Sequence, residues 1–148
     1  MKKFKDALMT GGIQRALEVL SARVPHRFTA VYRCDAQMLR SEAFIDKNGG
    51  PPILRLLNVD LGHSFCQYTM RDGFFMSENT GHDVRLDGHQ AQGRILSYHG
   101  VPLTDADGRP FGSLCHYDTE IRALSVSEFD HMKRAAAILS TFMLAGGR

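Results

Sequence analysis

The sequence predicts a domain of the α/β class, more closely α+β, in which an antiparallel sheet is flanked by helices from the two ends of the chain. Three observations carry this. Residues 27–33 with 38–45, and 97–103 with 111–117, read as pairs of short strands joined by turn chemistry. Both ends of the chain are amphipathic at helical spacing. The composition, 43% hydrophobic and 23% charged over 148 residues, is that of one globular core.

Taken in order, Ile13, Leu17, Leu20 and Val24 recur at steps of three and four while Arg15, Glu18 and Arg23 turn away, which predicts an amphipathic helix. Pro25 ends it, because the residue before a proline is pushed out of helical geometry. The strands at 27–33 and 38–45 follow. Asn48-Gly49-Gly50-Pro51-Pro52 is a concentrated turn signal ahead of a short apolar run at 53–57. Ser64 with Gln67 three residues on forms a capping-box pattern, so a short helix is expected to start there and to stop at Gly73. Phe74-Phe75-Met76 reads as a short strand. Residues 78–92 are polar, glycine-punctuated and long enough to be functional. Asp107-Gly108 supplies the positive backbone dihedral that a hairpin turn between 97–103 and 111–117 requires.

The last element opens on a second capping box, Ser125-Val126-Ser127-Glu128, with Leu124 and Phe129 placed as a hydrophobic staple. Along it Phe129, Met132, Ala136, Leu139 and Met143 form one stripe and Ala135, Ile138 and Phe142 an adjoining one. A helix that covers its own sheet needs one stripe. The surplus predicts a partner helix, either that of residues 13–24 or a symmetry mate, with a homodimer the preferred reading.

Charge and cysteine usage exclude several classes. The net charge is +2 with the basic residues scattered, which predicts neither a nucleic-acid nor a membrane partner. No run of roughly 18 apolar residues exists to span a bilayer. The basic start at Met1-Lys2-Lys3 reaches Thr10-Gly11-Gly12 before an apolar run can form, so no export signal is expected. Cys34, Cys66 and Cys115 are odd in number and without CxxC spacing, the pattern of reduced thiols in a cytoplasm.

With these elements in place the chain resembles the GAF family. The resemblance rests on Ser97-Tyr98-His99-Gly100-Val101-Pro102-Leu103, on Asp107-Gly108-Arg109-Pro110-Phe111-Gly112-Ser113-Leu114-Cys115-His116-Tyr117-Asp118, and on Arg122 with residues 125–129. Phe65-Cys66-Gln67-Tyr68 resembles the family's short central helix. It covers about residues 12–145 of a single domain at 1–148. It implies a six-stranded antiparallel sheet with the terminal helices packed on one face and pocket-forming loops and a short helix on the other. The resemblance implies a pocket there, occupied in family members by a cyclic nucleotide, a tetrapyrrole, a small metabolite or no known ligand. A small-molecule-binding sensory or regulatory module in signal transduction is therefore expected, acting as a homodimer or through a signalling partner, its ligand or cofactor unspecified.

The pocket lining expected on that basis is Phe65, Cys66, Tyr68, Phe75, Tyr98, Cys115 and Tyr117, with polar selectivity from Asn79, His82 and Arg85, the last suited to an anion. Cys66 falls in the first turn of the Ser64 helix, where unpaired backbone N–H groups favour a thiolate. The seven histidines match no established ligand spacing, so no metal is expected. His99 and His116 fall on neighbouring strands, where cross-strand pairing is the more ordinary role. No catalytic set is evident. The alternatives are a cysteine-dependent reductase of the free methionine sulfoxide type, against which residues 78–92 contain no cysteine, and an interaction module with a self-filled pocket.

Overall fold

A computed structural model covers all 148 residues. The elements run α1 (Lys2–Ser21), β1 (Phe28–Asp35), β2 (Met38–Asp46), α2 (Leu54–Leu57), β3 (Asn58–Asp60), α3 (Cys66–Asp72), β4 (Phe75–Ser77), β5 (Ser97–Thr104), β6 (Pro110–Asp118) and α4 (Val126–Leu144). The six strands form one sheet in the order β3-β2-β1-β6-β5-β4, antiparallel throughout. β3 is the strand the sequence did not reveal. It is three residues long, and two of them are exposed, so no alternation marks it.

Strand parity divides the hydrophobic residues between two cores. Val31, Ala43, Val101, Leu103 and Leu114 face α1 and α4 and pack on Leu17, Leu20, Met132 and Leu139. Phe28, Ala30, Tyr32, Tyr98, Cys115 and Tyr117 face the other way, toward α3 and the long loop. The β5–β6 turn closes through Gly108 at φ 79°. The Asp105 carboxylate accepts from the N–H groups of Asp107 and Arg109, both at 2.9 Å.

The terminal helices depart from expectation at both ends. α1 begins at Lys2 and not near residue 13, and Phe4 and Leu8 are buried in the core. The break at Gly12 (φ 75°, ψ −168°) lies inside the element, kinking two helical halves. On α4, Ser125 Oγ accepts from Glu128 N–H at 3.1 Å, as a cap should. The Glu128 side chain does not return to Ser125. It grips Arg23 with both oxygens, at 2.7 and 3.2 Å, tying the start of α4 to the end of α1. Part of the wide apolar arc of α4 is thus met by α1 within the chain, where Ile138 and Phe142 are half-buried. Met9, Val126 and Leu144 remain exposed on these helices.

Gly112 marks the tightest approach in the sheet: a Cβ there would lie 2.1 Å from the carbonyl oxygen of Tyr32. Gly112→Ala is therefore expected to lower stability by about 2 kcal/mol, because the obstacle is backbone and cannot swing aside. Urea unfolding measures this, and an unchanged midpoint would contradict the register given for β1 and β6.

Candidate functional site

On the face away from the terminal helices a cleft of about 790 Å³ opens between α2, β3, the start of β1 and the last part of the loop before β5. Its apolar walls include Phe28, Ile53, Leu56, Val59 and Ile95, and its polar rim includes Arg55, Asn58, His63 and Arg94. Beneath it lies an inner lobe of about 60 Å³ lined by Tyr32, Phe65, Cys66, Tyr98 and Tyr117. The two share Leu56, Val59, His63, Ala91 and Ile95 as walls.

Two hydrogen-bonded groups shape the lobe. The Tyr32 hydroxyl donates to Leu56 O at 2.6 Å, so the Tyr117 hydroxyl, 2.9 Å away, donates to Tyr32 in turn. This fastens α2, one wall of the cleft, to the sheet. The second group centres on Cys66, the first residue of α3 and fully buried. Its sulfur accepts from Tyr98 OH at 3.1 Å and from Ser113 Oγ at 3.2 Å. Thr69 Oγ1 stands 2.9 Å from the same Tyr98 oxygen.

The Cys115 thiol, with Ser113, Ser64 and Tyr98 adding to it, holds the Cys66 thiol below its ordinary pKa against the opposing effect of burial. Burial and the charge on Cys66 push Cys115 up, so Cys66 gives up its proton first. Tyr32, Tyr98 and Tyr117 are pushed well up by burial and stay protonated as donors.

Ser64 does not cap as the sequence pattern predicts. Its hydroxyl accepts from Cys66 N–H at 3.1 Å, one position early. Gln67 donates to Gly62 O and Ser64 O and meets His89 at 2.9 Å, anchoring the long loop to α3.

Of the expected site residues, Phe65, Cys66, Tyr98 and Tyr117 come together around the lobe. Cys115 is buried in the same core, and Tyr68 and Phe75 pack beside it with rings 5.1 Å apart. Asn79, His82 and Arg85 lie elsewhere, on an open depression beside β4 at the other edge of the sheet. The loop folds into short 3-10 turns at Thr80–His82 and Val84–Leu86, with Thr80 N–H bound to Leu96 O, and only its later part reaches the cleft. Arg85 is engaged locally: it bonds both oxygens of Asp83 at 2.6 and 2.9 Å, donates to Met76 O at 2.7 Å and lies over the Phe75 ring. Arg55 and Arg94, which the sequence reading did not select, border the cleft instead. The one local signal for Arg55 is a cation interrupting an apolar run.

Four histidines gather on the opposite face of the sheet, under the terminal helices. His99 and His116 are cross-strand partners, His26 precedes β1 and His131 comes from α4, and all four are buried. His26 Nε2 meets His99 Nδ1 at 3.0 Å, and His116 Nδ1 meets Thr29 Oγ1 at 2.7 Å. His26 Nδ1 and His131 Nε2 have no partner. No three His, Cys, Asp or Glu side chains are arranged to hold a metal ion.

No protein-family model matches the chain, and no curated protein is similar to it in sequence. Solved structures are similar in fold. The GAF domain of a phosphoenolpyruvate-protein phosphotransferase from Coxiella burnetii superposes with a TM-score of 0.76 at 12% identity, over 97% of this chain and 90% of that one. A type II free methionine-R-sulfoxide reductase from Thermoplasma acidophilum gives 0.69 at 16%, over 93% and 92%. A free methionine-R-sulfoxide reductase from Neisseria meningitidis, solved with its substrate, gives 0.72 at 17%, over 95% and 83%. The chain has the GAF fold. No helix in it is long and apolar enough to cross a membrane.

Proposed function

We propose that this GAF-fold domain is a small-molecule-binding regulatory module whose ligand occupies the cleft between α2, β3 and the later part of the long loop. The carrying observation is a cleft of about 790 Å³ opening onto an aromatic lobe, a size and lining suited to a small organic ligand. Its walls are unequal in stiffness. The floor is sheet, whereas α2 is a single turn held to that floor by the Tyr32 hydroxyl. Occupancy of the cleft bears on α2 and the loop, and a change there is a signal that a partner can read. The second apolar stripe of α4, where Ile138 and Phe142 are only half-buried, is the surface proposed for a homodimer.

Ala91 lines both cleft and lobe and is half-buried there, so Ala91→Trp fills the space. Native mass spectrometry is expected to find a discrete non-covalent adduct on the wild-type protein taken from its own cells. The variant should lack it while melting within a few degrees of the parent. Empty wild-type protein that no metabolite mixture loads would defeat this reading.

A second reading rests on Cys66, whose sulfur receives two hydroxyl donors and lines the lobe. Two of the solved structures with this fold reduce free methionine-R-sulfoxide. Turnover of free methionine sulfoxide with a thiol reductant, abolished in Cys66→Ser, would replace the regulatory reading with an enzymatic one.

A further inference from the structure

We infer that the cleft selects a small organic oxyanion, with a carboxylate or phosphate group held by Arg55 and Arg94 and an apolar part lying against Ile53, Leu56 and Val59; this rests on the cleft being the ligand site. The chain has thirteen arginines. Eight of them stand within ion-pair distance of a carboxylate: Arg15, Arg23, Arg27, Arg33, Arg40, Arg71, Arg85 and Arg122. Arg55 and Arg94 are among the remaining five, and neither guanidinium donates a hydrogen bond within the protein. They come from different segments, α2 and the end of the long loop, yet line one cavity.

The third cleft arginine, Arg27, is neutralised by a two-pronged bond to Asp46 at 2.8 and 3.1 Å. The only carboxylate on the lining is Asp60, one oxygen of which is occupied by the N–H of Gly62 at 2.9 Å. Two free guanidinium groups over an apolar floor raise the local concentration of anions and offer paired N–H forks to a carboxylate or phosphate. The hydrophobic walls demand that the anion carry an organic body. The inner lobe, at about 60 Å³, has room for a methyl-sized group or two waters, so that body stays in the outer cleft.

The test uses matched probes on isotope-labelled full-length protein, followed by amide resonances of residues 53–63 and 89–95. Phenylacetate and phenyl phosphate are the anions; phenylacetamide and benzyl alcohol are their uncharged counterparts. The anions are expected to bind about fivefold to tenfold more tightly than the uncharged probes at low salt, as fits partly exposed charge pairs. That preference should shrink at 300 mM salt and vanish in Arg55→Gln/Arg94→Gln. Arg109→Gln, an unpaired arginine on the β5–β6 turn, should leave it intact. Because Arg55 and Arg94 are exposed and unpartnered, the double variant should melt with the wild type. The stronger of the two anions tells carboxylate from phosphate. Equal binding of charged and uncharged probes at the cleft would overturn the oxyanion assignment and leave the ligand site standing. Cleft resonances that no probe moves would overturn both.

Discussion

Acidification from pH 7.5 to 4.5 is expected to remove about 5 kcal/mol of stability through His26 and His99 alone. Burial pulls His26 down to about 3 from an ordinary value near 6.5. The neighbouring His99 ring, Lys47 and Arg122 add to this, and Asp118 offsets part of it. Burial likewise pulls His99 down to about 4. His116 is driven low by burial and by His26, His99, Lys47 and His131 around it, and His131 by burial and by Arg23. The sign follows from which state takes up protons. Above the unfolded value the histidines are neutral in both states and stability is flat. Below it the unfolded chain binds protons that the folded chain refuses, so stability falls steadily from about pH 6.5 toward 3. A loss of this size is a large fraction of what a domain has. Thermal unfolding at half-unit steps should show the melting point dropping across this window. His99→Gln, which keeps a polar group for His26, should flatten the slope by about 1.4 kcal/mol per pH unit. A melting point constant from pH 7.5 to 4.5 would mean the cluster is not buried as described.

Legibility in the sequence tracked how local each determinant is. The Asp107-Gly108 turn and the Ser125 cap were readable because each is satisfied within four residues, and both are formed. The Ser64–Gln67 pattern is equally local, but Gly62, Ser64 and His89 together draw the Gln67 amide away from its reciprocal role. The apolar periodicity that predicts the first helix begins at Ile13, after Gly11-Gly12, whereas the helix starts at Lys2 and Gly12 only kinks it. The aromatic half of the site was visible through strand parity: Tyr98, Cys115 and Tyr117 must share a face once β5 and β6 pair. The charged half was not. Whether an arginine is free depends on where every carboxylate lands. Asp83, two residues from Arg85, takes up the arginine that looked available, and nothing in the fold reaches Arg55 or Arg94. The histidines follow the same rule. His99 and His116 were legible as neighbours, but His26 and His131 join them only through tertiary contact.

At neutral pH Cys66 is expected to react with a small alkylating reagent at least tenfold faster than Cys115, and to be shielded from bulky ones. Both thiols are buried, so burial alone would keep both protonated and inert. What separates them is hydrogen bonding. Cys66 receives the Cys115 thiol as well as Tyr98 and Ser113, whereas Cys115 acts as the donor, to Cys66 and weakly to Ala30 O at 3.9 Å. Two hydroxyls aimed at one sulfur favour the charged form, and each thiolate gained at Cys66 raises the cost of ionising Cys115. Access is set by the inner lobe, about 60 Å³, which has room for the reacting methylene of iodoacetamide reaching in from the outer cleft but not for an aromatic disulfide. The measurement is the rate of Cys66 carbamidomethylation against pH, read by peptide mass spectrometry. Tyr98→Phe and Ser113→Ala should each move the midpoint of that rate upward and slow the reaction several-fold at pH 7, since each removes one donor while leaving the volume nearly unchanged. Cys34, half-buried and pushed up by burial and by Asp35, should react only at alkaline pH and ignore both substitutions. A midpoint at Cys66 that neither substitution moves would show that the two hydroxyls bond elsewhere in solution, and would remove the ground for thiol chemistry in this fold.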